Sequence, residues 1–153
     1  MNDEETLSVI DHLITTAEDG KSGFTEAAKT ATDARLKDLF SVCAEDCAEA
    51  VAELRNLAVE HGGEPDTSGS VAAKAHRGWM KAKSGLEDKN LAVLEEVERG
   101  QDYAKAAYTK ALKRELPIDV HTVIRRQASG AVKNHDLIRD LRNGYKTAHS
   151  RAA

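Results

Sequence analysis

The sequence predicts an all-α protein built as a four-helix bundle, and three observations carry that expectation. Apolar residues recur at three-and-four spacing over stretches of about 27 residues, the mark of long helices with one buried face. Nothing between these stretches alternates with period two for long enough to make a strand. The two prolines, Pro65 and Pro117, both fall where the helical periodicity breaks off.

The first helix spans about Glu4 to Ala31, with Leu7, Ile10, Ile14, Ala17, Phe24 and Ala28 on one stripe. Gly20 and Gly23 interrupt it in AEDGKSGF. Two mid-helix glycines cost on the order of 1–2 kcal/mol together, and they suit a kink or a close helix contact. A second helix follows a Thr-Asp turn and runs from about Asp33 to His61. Its stripe is Leu36, Leu39/Phe40, Cys43, Cys47, Ala50, Leu54 and Leu57, and Gly62 and Gly63 end it as C-terminal caps.

The segment HGGEPDTSGS (61–70) is a loop by its Gly, Pro and Ser content. A short helix is expected over residues 70–85, containing the single Trp79. Asp88 is the natural N-cap of the next long helix, residues 88–116. Pro117 suits the first turn of the last one, residues 117–143, where its missing N–H costs nothing, and Gly144 is expected to stop that helix. Its stripe is Val120, Val123/Ile124, Gln127, Ala131, His135, Ile138 and Leu141.

The pattern is a hairpin, a long crossover with a short helix, and a second hairpin, which is the topology of ferritin-like bundles. One domain, residues 1–153, accommodates all of it. With 41% hydrophobic and 31% charged residues the chain reads as soluble and globular; with only 4% aromatics its core is built from Ala and aliphatic side chains. No apolar run reaches the roughly 18 residues of a membrane span, and the start MNDEETLS lacks the apolar segment of a secretory signal, so the expected location is cytoplasmic. Cys43 and Cys47, four apart on one helix, are expected to be reduced thiols packed as small core residues.

Charge is unevenly spread. Residues 1–66 carry 16 acidic and 5 basic side chains, and residues 113–153 carry 4 acidic and 9 basic. Asp136 and Asp140 interrupt the basic stretch, which disfavours a nucleic-acid arm and favours acidic and basic helices lying side by side, within one molecule or across a homo-oligomer. A dimer or larger assembly is therefore the expected partnership. The absence of Gly-x-Gly-x-x-Gly, Walker and Gly-x-Ser-x-Gly sequences sets aside dinucleotide, nucleotide-phosphate and serine-hydrolase chemistry of those types.

The ordered segments EDGKSGF, FSVCAEDCAEAVAEL, HGGEPDTSGS, AHRGW, ERGQDYAKAAY, ELP and NHDLIRDLR resemble a family of small bacterial proteins in the ferritin-like group that carries a domain-of-unknown-function label. The resemblance covers nearly the whole chain. It implies a ferritin-like bundle, often found beside stress-response proteins, and no established activity.

Within LEEVERGQDYAKAAYTKAL (94–112) the apolar stripe contains Glu98 and Gln101. Ferritin-like di-iron proteins use Glu-x-x-His pairs, and this chain has none: Val132 stands three before His135. A thinner constellation remains. Folding the last two helices about Pro117 sets Glu98 beside His135, and folding the first two about Asp33 sets Asp19 or Glu18 level with Cys47. Carboxylates, a thiolate and an imidazole would suit iron or zinc. The simpler reading of Glu98 and His135 is a polar layer, with the two paired and Gln101 and Gln127 joined to them, that holds the helices in register. His76-Arg77-Gly78-Trp79 reads as an anion or metal site, or as the anchor docking the crossover helix. Two functions follow: a non-catalytic, self-associating bundle with a binding or stress-associated role, or a metalloprotein with a degenerate centre doing redox or storage work.

Overall fold

The structure, a computed structural model, describes residues 3–64 and 89–152, the last four by backbone alone. Four α-helices account for nearly all of these residues: α1 (Asp3–Thr30), α2 (Ala34–Glu60), α3 (Lys89–Leu112) and α4 (Ile118–Ala152). There is no strand among them. The expected helix over 70–85, the Asp88 cap and the His76–Trp79 motif lie outside the described residues.

Local chemistry sets each boundary. Asp33 is the N-cap of α2, its carboxylate accepting from the Arg35 backbone N–H at 2.9 Å. Asn90, at the start of α3, accepts from the Thr32 and Asp33 backbone N–H groups at 2.8 and 3.2 Å and donates to the Thr32 hydroxyl, stapling the α1–α2 turn to α3. At the other end of α2, Gly62 adopts a φ of 87°, a left-handed conformation open to glycine at little cost. Gly63 lies so close to α1 that an added Cβ would sit 2.6 Å from a methyl of Leu7.

These contacts also set direction. The end of α1 meets the start of α3, Asp33 at the head of α2 meets Tyr145 late in α4, and His61 beyond α2 meets Asp119 at the head of α4. Neighbouring helices are therefore antiparallel, and the 31–33 and 113–117 turns lie at opposite ends of the bundle. The α1–α2 and α3–α4 hairpins pack most extensively, α1 joins α3, and α2 and α4 touch little.

One expectation is corrected at the C-terminus. Gly144 does not stop the last helix, which continues to Ala152. Leu141 and Tyr145 pack on the core on either side of Gly144, and the Tyr145 hydroxyl donates to Asp33. These tertiary contacts outweigh the roughly 1 kcal/mol propensity cost of an exposed helical glycine. Smaller shifts occur at the other edge of that hairpin, where α3 ends at Leu112, not residue 116, and Pro117 precedes the helix, its carbonyl accepting from the His121 N–H.

The core divides into two clusters. Near the 113–117 turn, Ile10, Leu13, Ile14, Val51, Leu54, Tyr108, Val120 and Ile124 pack together. Near the 31–33 turn, Phe24, Leu36, Phe40, Val93, Leu94 and Ile138 do so, with the two phenyl rings stacked at 6.2 Å. Between them the side chains become small, and there the site lies.

Candidate functional site

All four helices contribute small residues to the level between the clusters: Ala17 and Gly20 from α1, Ala50 from α2, Ala104 from α3, Gly130 and Ala131 from α4. Side chains of this size cannot fill the space between four helices, and a cleft of about 430 Å³ remains, lined most heavily by α2 and α4. Gly20 has a packing reason: an added Cβ would lie 3.1 Å from the Cys47 sulfur. That is the close helix contact expected of this glycine pair, since α1 runs unbroken through both.

A hydrogen-bonded chain closes one end of the cleft. The Tyr108 hydroxyl donates to Gln127 Oε1 at 2.8 Å, Gln127 Nε2 donates to Glu53 Oε1 at 2.8 Å, and Arg126 pairs with the second oxygen of Glu53. Burial pushes the Tyr108 phenol upward, reinforced by nearby Cys47 and Glu53, so it remains a donor at neutral pH. Burial likewise pushes Cys47 up to about 12, with Cys43 and Asp46 adding to the shift. Cys43 is raised to about 12 by burial and by Asp46. Both thiols are free, as expected, and neither is a ready thiolate nucleophile.

Gln101 faces this space from α3. It is 5% exposed, and among the described residues its amide has no hydrogen-bond partner. The sequence placed it correctly inside the core stripe but assigned it to a shared layer with Glu98, His135 and Gln127. Gln127 instead joins Tyr108 and Glu53, and Gln101 stands alone.

A second constellation lies on either side of Gln101 along α3, at Glu98 and Asp102. His135 Nε2 is 2.5 Å from Asp102 Oδ1, and its Nδ1 is 3.2 Å from Asp136 Oδ1. Both bonds can be donated at once only by the imidazolium, since a neutral ring has a single N–H. The His135 bond, offset in part by desolvation and helped by Arg139, holds Asp136 below the usual carboxylate range. Glu98, 8% exposed, pairs with Arg142 Nη1 at 2.9 Å. The anticipated burial of Glu98 and His135 is met, at 8% and 7% exposure, while their partners are Arg142 and Asp102. Asp102 was missed because its side chain is 63% exposed and its position falls off the apolar stripe. The available signal was its four-residue spacing from Glu98, which puts two carboxylates on one helix face.

Donor atoms of Glu98, Asp102 and His135 lie within 4.8 Å of one another, the one such trio among the described residues. Cys47, Asp19 and Glu18 are not part of it. Glu18 turns toward Arg55, at 2.5 Å, eight residues along α2 from Cys47. It is Gly20 that α1 presents to the thiol. Asp19 is half-buried on α1. The cleft level offers carboxylates from α2 alone (Asp46, Glu49 and Glu53) and no imidazole, so its donors do not fit a di-iron centre, which takes carboxylates from all four helices and histidines from two.

Fold and site together define a class: a four-helix bundle with a split apolar core and an open cleft of small residues between its halves. The chain belongs to the domain-of-unknown-function family DUF2383, whose profile matches residues 5–114. The match takes in α1, α2 and α3 and stops before α4, so Gln101 and Asp102 fall inside it and His135 outside. No curated protein matches the chain. No helix among the described residues is long and apolar enough to cross a membrane.

Proposed function

We propose that this protein is a non-catalytic, ferritin-like bundle of bacterial origin that binds a small ligand in its mid-bundle cleft. The observation that supports this most is the cleft itself, a 430 Å³ space between two intact apolar clusters, within the size range of small-molecule sites. The two raised thiols and the mutually satisfied Tyr108–Gln127–Glu53 chain offer binding surface rather than a nucleophile or a general base. A fragment library screened by amide NMR tests the reading. Hits should perturb Gly20, Cys47, Ala104 and Gly130, and Ala104→Phe, which fills the space, should abolish them. Hits confined to other surfaces would overturn it.

In this reading the protein is cytoplasmic, stress-associated and a homo-oligomer, without a nucleic-acid partner. Exposed Val42, Val59, Tyr103, Ile118, Val132 and Leu137 support self-association, as does the opposition of an acidic first half and a basic end. Sedimentation equilibrium checks the assembly: a monomer at high concentration removes it.

A second reading rests on the Glu98–Asp102–His135 trio, whose two carboxylates and imidazole suit a single iron or zinc ion. Cys47, Asp19 and Glu18, the other residues expected to ligate, would serve at most a separate ion. Binding at the trio would require the His135 Nε2–Asp102 hydrogen bond to open and Arg142 to release Glu98. Elemental analysis of untagged protein, repeated on Glu98→Ala and His135→Ala, decides it. Stoichiometric metal lost in both variants would make this a metalloprotein, and protein that takes up neither ion anaerobically would dismiss the reading.

A further inference from the structure

We infer that the cleft selects an uncharged ligand bearing a carboxamide or lactam edge, which Gln101 recognises by paired amide hydrogen bonds. The inference rests on the cleft being a binding site and adds the chemistry of the ligand's head.

Gln101 carries the argument. A glutamine amide offers two N–H donors and a carbonyl acceptor, and a buried amide without partners is destabilising. Here the residue is only 5% exposed, and its amide, partnerless among the described residues, keeps its accessible edge toward the cleft, where no protein group competes for it. Its neighbour in the polar chain shows the contrast: Gln127, at the same cleft, satisfies both ends of its amide through Tyr108 and Glu53. The group that complements a free side-chain amide most fully places an acceptor and a donor next to each other, so that two bonds close a ring. Carboxamides and lactams have that edge.

The surroundings select against charge. The cleft that Gln101 borders is also lined by the Cys47 thiol and the Tyr108 phenol, both kept protonated by burial. Glu53, the carboxylate at the closed end, is neutralised by Arg126. At the rim, exposed Asp46 and Glu49 on α2 face exposed Lys133 on α4, so neither sign dominates. A charged head buried below that rim would lose its hydration among neutral groups, away from the rim charges. The walls of Ala17, Gly20, Ala50, Ala104 and Ala131 leave room for an apolar body such as a ring.

Three probes of nearly one shape test this: benzamide, acetophenone, in which a methyl replaces the amide nitrogen, and benzoate. Binding is followed by NMR on the wild type, Gln101→Leu and the near-isosteric Gln101→Met, with thermal unfolding confirming that each variant folds. Benzamide should bind at least tenfold tighter than either analogue and shift the Gln101 side-chain amide signals. In both variants that preference should disappear while acetophenone binding persists. Equal binding of benzamide and acetophenone, a preference for benzoate, or discrimination that survives loss of Gln101 would each overturn the amide assignment and leave the cleft as a site. Failure of all three probes, together with an empty fragment screen, would overturn the cleft reading and this inference with it.

Discussion

The ends of the bundle and its middle are built from different materials. At the ends, Phe24 stacks on Phe40, and Ile10, Leu13, Leu54 and Ile124 are wholly enclosed. In the middle, the same four helices present glycine, alanine, a thiol and an unpaired amide around open space. The ends hold the helices together, and the middle, released from packing, leaves an open cleft. The lesson is that a bundle can leave a cleft open at mid-height without lengthening its helices, provided the apolar clusters on both sides are complete.

Mutations can break this contrast. Phe40→Ala, at an end, should cost about 3–5 kcal/mol in denaturant unfolding, whereas truncating Gln101 to Ala should cost less than about 1 kcal/mol. Similar losses at both positions would show that the middle is as load-sharing as the ends.

The thiols sharpen it through pH. With folded-state values near 12 against an ordinary value of 9.0, Cys43 and Cys47 stay protonated in the folded protein while the unfolded chain ionises. Their stabilisation is complete below about pH 9 and is lost as pH rises toward 12, by up to roughly 4 kcal/mol for one thiol titrating alone. Thiolate absorbance in single Cys→Ala variants reports each group. A Cys47 that ionises near 9 while Cys43 does not would mean that the middle is wet.

Glu98→Ala should cost about 1–3 kcal/mol by stranding Arg142, a test of whether the second constellation also bears structure. An unchanged midpoint would make it dispensable. Tyr145→Phe, which removes the bond to Asp33, should cost about 1 kcal/mol and increase hydrogen exchange in α4 beyond Gly144. The smallest effect has the opposite sign. Gly130→Ala meets no atom within 4 Å and should stabilise by about 0.5–1 kcal/mol.

The helices and their apolar faces were legible because a 3.6-residue period repeats many times in each. Leu94, Tyr108, Ile124 and Ile138 are buried as read, and so are the out-of-place Glu98 and Gln101. Partners were harder to read than positions. Folding a hairpin about its turn locates a residue to within about a turn of helix, and that margin separates His135–Asp102 from His135–Glu98. Gly144 misled because the contacts of Tyr145 with α2 are long-range and leave no mark on local propensity. The cleft was least legible, since several alanines and glycines on four helices signal a void only once the topology brings them to one level.

The α2–α4 seam has a further consequence. Polar clasps cross it: Asp33 with Tyr145, Glu53 with Arg126 and Gln127, and His61 with Asp119 at 2.9 Å. Two of these carboxylates are held below their ordinary range, Asp33 first by the Tyr145 hydroxyl and Asp119 first by His61. Their contribution is therefore present above about pH 4 and lost as acid protonates them. The protein resembles a book, with the apolar α1–α3 contact as its spine and the α2–α4 clasps as its fore-edge. Acid below about pH 4 or high salt should loosen the fore-edge while the spine stays bound, so the same row of clasps sets the conditions under which the mouth of the cleft widens.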